Sequence, residues 1–132
     1  MKNNRIKTTK NNILIIDDDI DFLEWLETGL KSEGYNVFSA TNAGDGLNVL
    51  KNNDIHLIVL DILLPDVNGF EFVKKLKLNR DTKNIPIVAV TGVYKESEYK
   101  QKGYELGVDD FLTKPFSYNF LAVKIKKILY KK

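Results

Sequence analysis

This sequence of 132 residues contains no cysteine, one methionine and one tryptophan. The lack of cysteine excludes a disulfide framework and thiolate metal ligands. Long apolar runs are missing as well, since none approaches the roughly 20 residues that a membrane-spanning helix requires. The first residues also lack the apolar core of a secretory signal peptide. We therefore expect a soluble protein of the cytoplasm with no membrane association.

The composition is that of one globular domain with a polar tail. Hydrophobic residues make up 43% of the chain and charged residues 29%, which is ordinary for a soluble domain of this length. Residues 1–12 contain basic residues, no acidic residue and no apolar periodicity. We predict a disordered basic tail over 1–12 and a folded domain over 13–131.

Short aliphatic runs followed by acids are the strongest structural signal. Ile13–Ile16 and Leu57–Leu60 are both wholly aliphatic, and an aspartate follows each of them. Such runs are typical of strands that are buried on both faces of a parallel sheet. Helical patterns alternate with the strands. Further strands are predicted at 35–40, 85–90 and 109–112, and the helices after the first at 43–51, 70–78, 95–106 and 116–130.

This alternation predicts an α/β fold, namely a three-layer α/β/α domain with a doubly wound, five-stranded parallel sheet. Each crossover helix must return the chain so that the next strand runs in the same direction. All strands then end at one edge of the sheet, where open α/β sheets bind their ligands. Five side chains that are distant in sequence are expected at this edge. They are Asp17, Asp18, Asp61, Thr91 and Lys114.

These side chains suit phosphoryl transfer. Clustered carboxylates repel one another unless a cation lies among them, and hard oxygen ligands favour Mg²⁺. The hydroxyl of Thr91 and the ammonium of Lys114 supply a donor and a positive charge for phosphoryl oxygens. Asp61 can attack phosphorus and form an aspartyl phosphate without a separate base, because its carboxylate is already ionised.

Four motifs, in this order and spacing, resemble those of the CheY-like receiver domains of two-component response regulators. The resemblance covers essentially all of residues 13–131 and implies a flavodoxin-like sheet with strand order 2-1-3-4-5. The motifs are Ile16-Asp17-Asp18, Leu60-Asp61 followed by Pro65 and Gly69, Val90-Thr91-Gly92, and Phe111-Leu112-Thr113-Lys114-Pro115-Phe116.

The resemblance also implies a metal site and a phosphorylation site. Asp61 would be the phosphoacceptor. Mg²⁺ would be held by Asp18, Asp61 and the backbone carbonyl of Leu63, with Asp17 acting through water.

A switch is implied beside this site. Thr91 and Lys114 would contact the phosphoryl oxygens, and Phe111 would be the aromatic residue that changes position. The Lys114-Pro115 peptide bond would be cis. The response would be read on the face formed by the fourth helix, the fifth strand and the fifth helix.

The implied partners are a histidine kinase or a histidine phosphotransfer protein upstream and an unknown protein downstream. We find no appended DNA-binding motif and expect no DNA-binding domain in this chain. The predicted function is therefore a stand-alone phosphoryl-accepting signalling switch, not an enzyme. The alternative is a receiver module of a larger hybrid kinase or relay protein.

Two other classes of protein fit the residues less well. An Asp-nucleophile phosphatase of the haloacid-dehalogenase type requires a second aspartate two residues after the nucleophile, where this chain has Leu63. A flavin or nucleotide binder requires a hydroxyl- or glycine-rich phosphate loop after the first strand. This chain has three consecutive acids there, Asp17–Asp19, which repel phosphate unless a metal intervenes.

Two single residues and one helix are interpreted separately. The only histidine, His56, precedes the third strand and is interpreted as a solvated loop residue. Trp25 lies off the apolar stripe of the first helix, which leaves open an exposed anchor for a partner or a half-covered side chain. Gly103 weakens the predicted fourth helix.

Overall fold

The computed structural model describes residues 11–92 and 96–130. Within them, five strands form one parallel sheet in the order β2-β1-β3-β4-β5. The fold class and strand order predicted from the sequence are confirmed. The strands are β1 (Asn12–Ile16), β2 (Asn36–Ala40), β3 (Leu57–Asp61), β4 (Ile87–Thr91) and β5 (Asp110–Thr113). The helices are α1 (Ile20–Ser32), α2 (Ala43–Asn52), α3 (Gly69–Leu78), α4 (Glu96–Leu106) and α5 (Tyr118–Leu129).

The core lies on both faces of the sheet, because side chains along a strand alternate between faces. In β1, Leu14 and Ile16 pack with the apolar side chains of α2, α3 and the turn after α4. Ile13 and Ile15 pack with α1 and α5 on the opposite face. Every residue of β3 and β4 is buried, which explains why their sequences read as unbroken aliphatic runs.

Several boundaries differ from the predicted ones for local reasons. Strand β1 begins at Asn12, inside the predicted tail, and residues 1–10 of that tail lie outside the described residues. Strand β4 begins at Ile87 rather than Ile85, since Pro86 has no N–H to donate to a ladder. Helix α5 begins at Tyr118, with Ser117 at the N-cap position.

The first helix is set by two local features. The side chain of Asp19 caps it by accepting a hydrogen bond of 3.2 Å from the Phe22 N–H, which satisfies one of the free donors of the first turn. Gly34, just after the helix, has φ of +96°, a conformation that glycine adopts without strain. None of the helices within residues 11–92 and 96–130 is long and apolar enough to cross a membrane.

Candidate functional site at the carboxyl edge of the sheet

The fold brings together the side chains predicted at the carboxyl edge. Asp17 follows β1, Asp61 ends β3 and Thr91 ends β4. Their relative exposures are only 1%, 7% and 1%. The Nζ atom of Lys114, just after β5, lies 2.7 Å from Asp17 Oδ2 and 3.6 Å from Asp61 Oδ2. We call this set, with Asp18, the acidic site.

The three carboxylates of the acidic site are close enough to share one cation. Asp17, Asp18 and Asp61 each offer an oxygen, and these atoms lie within 4.8 Å of one another. Asp18 is exposed, whereas Asp17 is held in place because its Oδ1 accepts a 2.9 Å hydrogen bond from the Asp19 N–H. Carboxylate oxygens are the donors that Mg²⁺ prefers. The three carboxylates therefore fit a hard divalent cation, in a site that is open to solvent on the side of Asp18.

Burial and neighbouring charge both act on Asp61. Its pKa is raised from 3.8 to about 6, chiefly because burial penalises the charged form, and the negative charge of Asp17 adds to the increase. The N–H of Leu63, which donates to Asp61 Oδ1 at 2.9 Å, and the Lys114 ammonium oppose it. With a pKa of about 6, the Asp61 carboxylate is largely ionised at neutral pH, although its charge is not fully compensated.

Thr91 contributes a hydroxyl without a partner. Its Oγ1 is buried and makes no hydrogen bond to any described residue. The nearby backbone carbonyls are paired, since Val90 O accepts from the Ile62 N–H at 3.0 Å and Thr91 O accepts from the Lys114 N–H at 2.6 Å. A buried polar atom left unpaired costs free energy and calls for a functional explanation.

The loop from β3 to α3 closes tightly behind Asp61. Leu63 and Asn68 form an antiparallel bridge, and the Gly69 N–H donates to Ile62 O at 3.0 Å. A Cβ atom at Gly69 would lie 2.3 Å from Ile62 O, so only glycine allows this approach. The loop therefore fixes the backbone of Leu63 next to the Asp61 carboxylate.

Asp66 is a structural residue of the site that sequence reasoning missed. Its two carboxylate oxygens accept hydrogen bonds of 3.0 Å from the N–H groups of Ala43 and Gly44, at the start of α2. The bond from Ala43 is the largest cause of a lowered Asp66 pKa. Its partners are more than twenty residues away, so no local pattern marks the contact. Asp66 ties the β3–α3 loop to α2.

Phe111 is turned inward, with 4% of its surface exposed. Its ring lies against α4, where a Cβ atom at Gly103 would be only 3.1 Å from Phe111 Cε2. Gly103 therefore provides the space that the ring occupies, which accounts for a glycine inside this helix. Whether Phe111 moves on phosphorylation stays a prediction. The adjacent Lys114-Pro115 peptide bond is cis.

Two interpretations of single residues are now resolved. His56 is half-buried and its Nδ1 accepts a 2.8 Å hydrogen bond from the Asn12 N–H. His56 lies in the loop before β3, as predicted, but it is not only solvated, because its imidazole pairs with a backbone donor at the start of β1. Trp25 is 44% exposed and packs against Phe116 and Tyr118, so it is half-covered.

Comparison with known families assigns the chain. The family described as the response regulator receiver domain matches residues 13–126, and the chain belongs to this family. It is thus a receiver domain of the two-component type, and its family consists of signalling switches rather than classical enzymes.

Solved structures agree with this assignment. The CheY-like receiver domain protein of Methanospirillum hungatei JF-1 is 34% identical, with a TM-score of 0.85 over 93% of this chain and 96% of that one. The chemotaxis response regulator CheY4 of Vibrio cholerae is 29% identical, with a TM-score of 0.84 over 92% of this chain and all of that one.

Curated relatives are longer. The transcriptional regulatory protein CusR of Escherichia coli is 38% identical over 117 residues, which cover 89% of this chain and 50% of CusR. The response regulator SaeR of Staphylococcus aureus is 36% identical over 117 residues, which also cover 89% of this chain and 50% of SaeR. The chain spans about half the length of the curated relatives it matches.

These lengths correct the prediction about partners. We expected no DNA-binding domain in this chain and an unknown protein downstream, and this partner prediction is wrong because the relatives the chain matches include transcriptional regulators. Several relatives are named as transcriptional regulatory proteins, and about half of each lies outside the matched receiver.

Proposed function

We propose that Asp61 accepts a phosphoryl group from a histidine kinase or a histidine phosphotransfer protein in the cytoplasm. One observation carries the proposal. The buried Asp61 carboxylate lies 3.6 Å from the Lys114 ammonium, at an edge that also holds two further carboxylates and the unpartnered Thr91 hydroxyl. This arrangement provides a nucleophile together with the positive charge and the hydrogen-bond donor that phosphoryl oxygens require.

A magnesium ion is part of the proposal. Asp18, Asp61 and the backbone carbonyl of Leu63 would hold it, with Asp17 acting through water. The ion, when bound, neutralises negative charge on the phosphoryl oxygens and on the carboxylates. The fit rests on the three carboxylate oxygens within 4.8 Å and on the exposure of Asp18, which leaves room for the water molecules that Mg²⁺ retains.

The chain's own residues would perform the remaining steps. A carboxylate oxygen of Asp61 forms a bond to phosphorus while the bond from phosphorus to the donor's imidazole nitrogen breaks, and the imidazole leaves with that electron pair. Lys114 holds the ammonium beside the phosphoryl oxygens. No side chain needs to take a proton from the nucleophile, since a carboxylate with a pKa of about 6 is largely ionised at neutral pH.

Thr91 and Phe111 would couple phosphorylation of Asp61 to a change in the shape of the protein surface. The Thr91 hydroxyl, which is unpaired among the described residues, would donate to a phosphoryl oxygen. The inward ring of Phe111 would be favoured in that state, on the face formed by α4, β5 and α5. A phosphoryl group biases this balance by its different contacts in the two states. The names of the relatives support a DNA-binding domain as the reader.

The experiment that tests the proposal is labelling with acetyl phosphate and Mg²⁺, followed by intact-mass measurement. The wild-type chain should gain one phosphoryl group. Asp61→Asn keeps the shape of the side chain but removes the nucleophile and should gain none. Asp18→Ala should weaken Mg²⁺ dependence, and Lys114→Ala should leave some labelling but a smaller NMR response at Phe111. Undiminished labelling of Asp61→Asn would refute the proposal.

A further inference from the structure

The phenyl ring of Phe22 lies against the Lys114 ammonium. The distance from Lys114 Nζ to the ring centroid is 4.1 Å. The same nitrogen is 2.7 Å from Asp17 Oδ2, so the ammonium has an aromatic face and a carboxylate as neighbours. A cation over the face of an aromatic ring is attracted by the ring quadrupole, most strongly where water is excluded. Phe22 is thus a third contact of this lysine, besides Asp17 and Asp61.

The ring of Phe22 is itself held firmly. Its centroid is 5.8 Å from that of Trp25 and 6.0 Å from that of Phe116, with the Phe116 ring edge-on at 84°. Edge-to-face and tilted pairs at these distances are favourable. The Phe22 backbone is fixed as well, because its N–H donates to the Asp19 carboxylate at 3.2 Å. Aromatic rings of α1 and of the segment after β5 therefore pack around Phe22, whose ring face lies over the Lys114 ammonium.

Lysine benefits from such a surface. Its ammonium is a compact charge on a flexible stem with several rotatable bonds. Asp17 alone would draw the ammonium away from Asp61, since the two distances are 2.7 Å and 3.6 Å. The ring face restricts the ammonium from another side. A fixed charge at this point costs less reorganisation when charge develops on a phosphoryl group.

We propose that Phe22 is a positioning residue for phosphorylation, which holds the Lys114 ammonium at the acidic site through its ring face. The inference rests on the proposed function, because it assumes that Lys114 serves a phosphoryl group on Asp61. It adds a residue of α1 that lies outside the four motifs that resemble receiver domains. Phe22 does not touch the reacting atoms and acts only through Lys114.

The test replaces Phe22 by mono-, di- and trifluorophenylalanine in the full chain. Fluorine withdraws electron density from the ring face and changes the size of the ring little, so it weakens the cation–π attraction stepwise. We expect the rate of labelling by acetyl phosphate to fall stepwise, by about three- to tenfold across the series. The NMR shifts of the Lys114 ε protons should move in the same order. A packing role would produce no such trend.

Matched controls separate the ring face from packing. Phe72 is buried in α3 on the opposite face of the sheet, and the same fluorinated series there should leave the labelling rate unchanged. Phe22→Leu removes the aromatic face and should slow labelling at least as much as trifluorination. Phe22→Trp restores a stronger face and should retain a rate near that of wild type.

The outcomes are distinct. A flat series at Phe22, with Asp61 still labelled, overturns the positioning role and leaves the proposed function intact. A loss of Asp61 labelling in the wild-type chain overturns the proposed function instead. If the fluorinated proteins unfold, unchanged Lys114 shifts in a folded Phe22→Leu variant still refute the proposal.

Discussion

The two edges of the sheet differ in how completely their polar groups are hydrogen-bonded. At the amino edge, where the strands begin, His56 Nδ1 accepts from the Asn12 N–H at 2.8 Å, and the Asn12 side chain accepts from Asn36 at 2.9 Å. The Ile87 N–H donates to Asp109 Oδ2, also at 2.8 Å. Strand ends otherwise leave free donors and acceptors, and this edge supplies them with partners.

The carboxyl edge leaves its polar groups incompletely paired. Asp61 is buried and its pKa is raised, and the Lys114 Nζ atom lies 3.6 Å from Asp61 Oδ2. Within the described ranges, Thr91 Oγ1 makes no hydrogen bond. A buried polar group without a full set of partners lowers stability. The amino edge therefore stabilises the sheet, and the carboxyl edge destabilises it. The contrast supports the proposal that the carboxyl edge holds the phosphorylation site, whereas the contacts at the amino edge stabilise the sheet.

The largest effect on this contrast is expected from Asp61→Asn. The substitution removes a buried charge whose pKa is raised to about 6, so at neutral pH with a chelator it should increase the free energy of unfolding by about 2 kcal/mol. Urea denaturation with and without EDTA measures this. The exposed Asp81→Asn variant is the control and should change little. A destabilised Asp61→Asn would show that the charge is well compensated.

His56→Ala tests the opposite edge. Loss of the imidazole leaves the Asn12 N–H without its 2.8 Å acceptor, so the free energy of unfolding should fall by about 1–2 kcal/mol. The same urea titrations apply. His56→Gln, which keeps an acceptor on the side chain, should lose less. Equal stability of His56→Ala and wild type would mean that the amino edge is not stabilised by this bond.

Thr91→Val should have a smaller effect of the opposite sign. The variant replaces an unpartnered buried hydroxyl by a methyl group, which should raise the free energy of unfolding by about 1 kcal/mol. It should also reduce the NMR response of Phe111 to beryllofluoride, a phosphoryl mimic. If Thr91→Val is less stable than wild type, the hydroxyl must already have a partner in the free protein.

The smallest effect is expected from Asp66→Ala and depends on pH. The Asp66 pKa is lowered from 3.8 by its hydrogen bond from the Ala43 N–H, so the carboxylate stabilises the fold above that pH. This contribution is lost as the pH falls through the lowered pKa. Wild type should therefore exceed Asp66→Ala in stability at pH 6, and the gap should close on acidification. A gap that is independent of pH would contradict the assignment.

The sequence predicts most of the fold because its signals are local. The aliphatic runs that became β1 and β3 end in aspartates, and parallel topology alone then places Asp17 beside Lys114, 97 residues away. Boundaries shifted where a single residue overrides the pattern, as Pro86 does at the start of β4. The fold class therefore follows from periodicity, whereas exact strand ends depend on individual backbone donors.

The supporting contacts of the site could not be predicted in the same way. Phe22 looks like any apolar residue of α1, and its position over Lys114 depends on how α1 packs against the segment after β5. In the sequence, Asp66 resembles any acidic loop residue, and His56 resembles a solvated loop residue. Each role depends on a partner brought close only by tertiary packing, so no spacing in the sequence reports it.

Chemical trapping can locate the phosphorylated residue itself. Borohydride reduces an acyl phosphate of aspartate to homoserine, so chains treated with acetyl phosphate and Mg²⁺, then reduced and digested, can be mapped by mass spectrometry. We predict homoserine at position 61 and at no other aspartate of the acidic site. Homoserine at Asp17 or Asp18, or its absence throughout, would contradict the assignment of Asp61 as the phosphoacceptor.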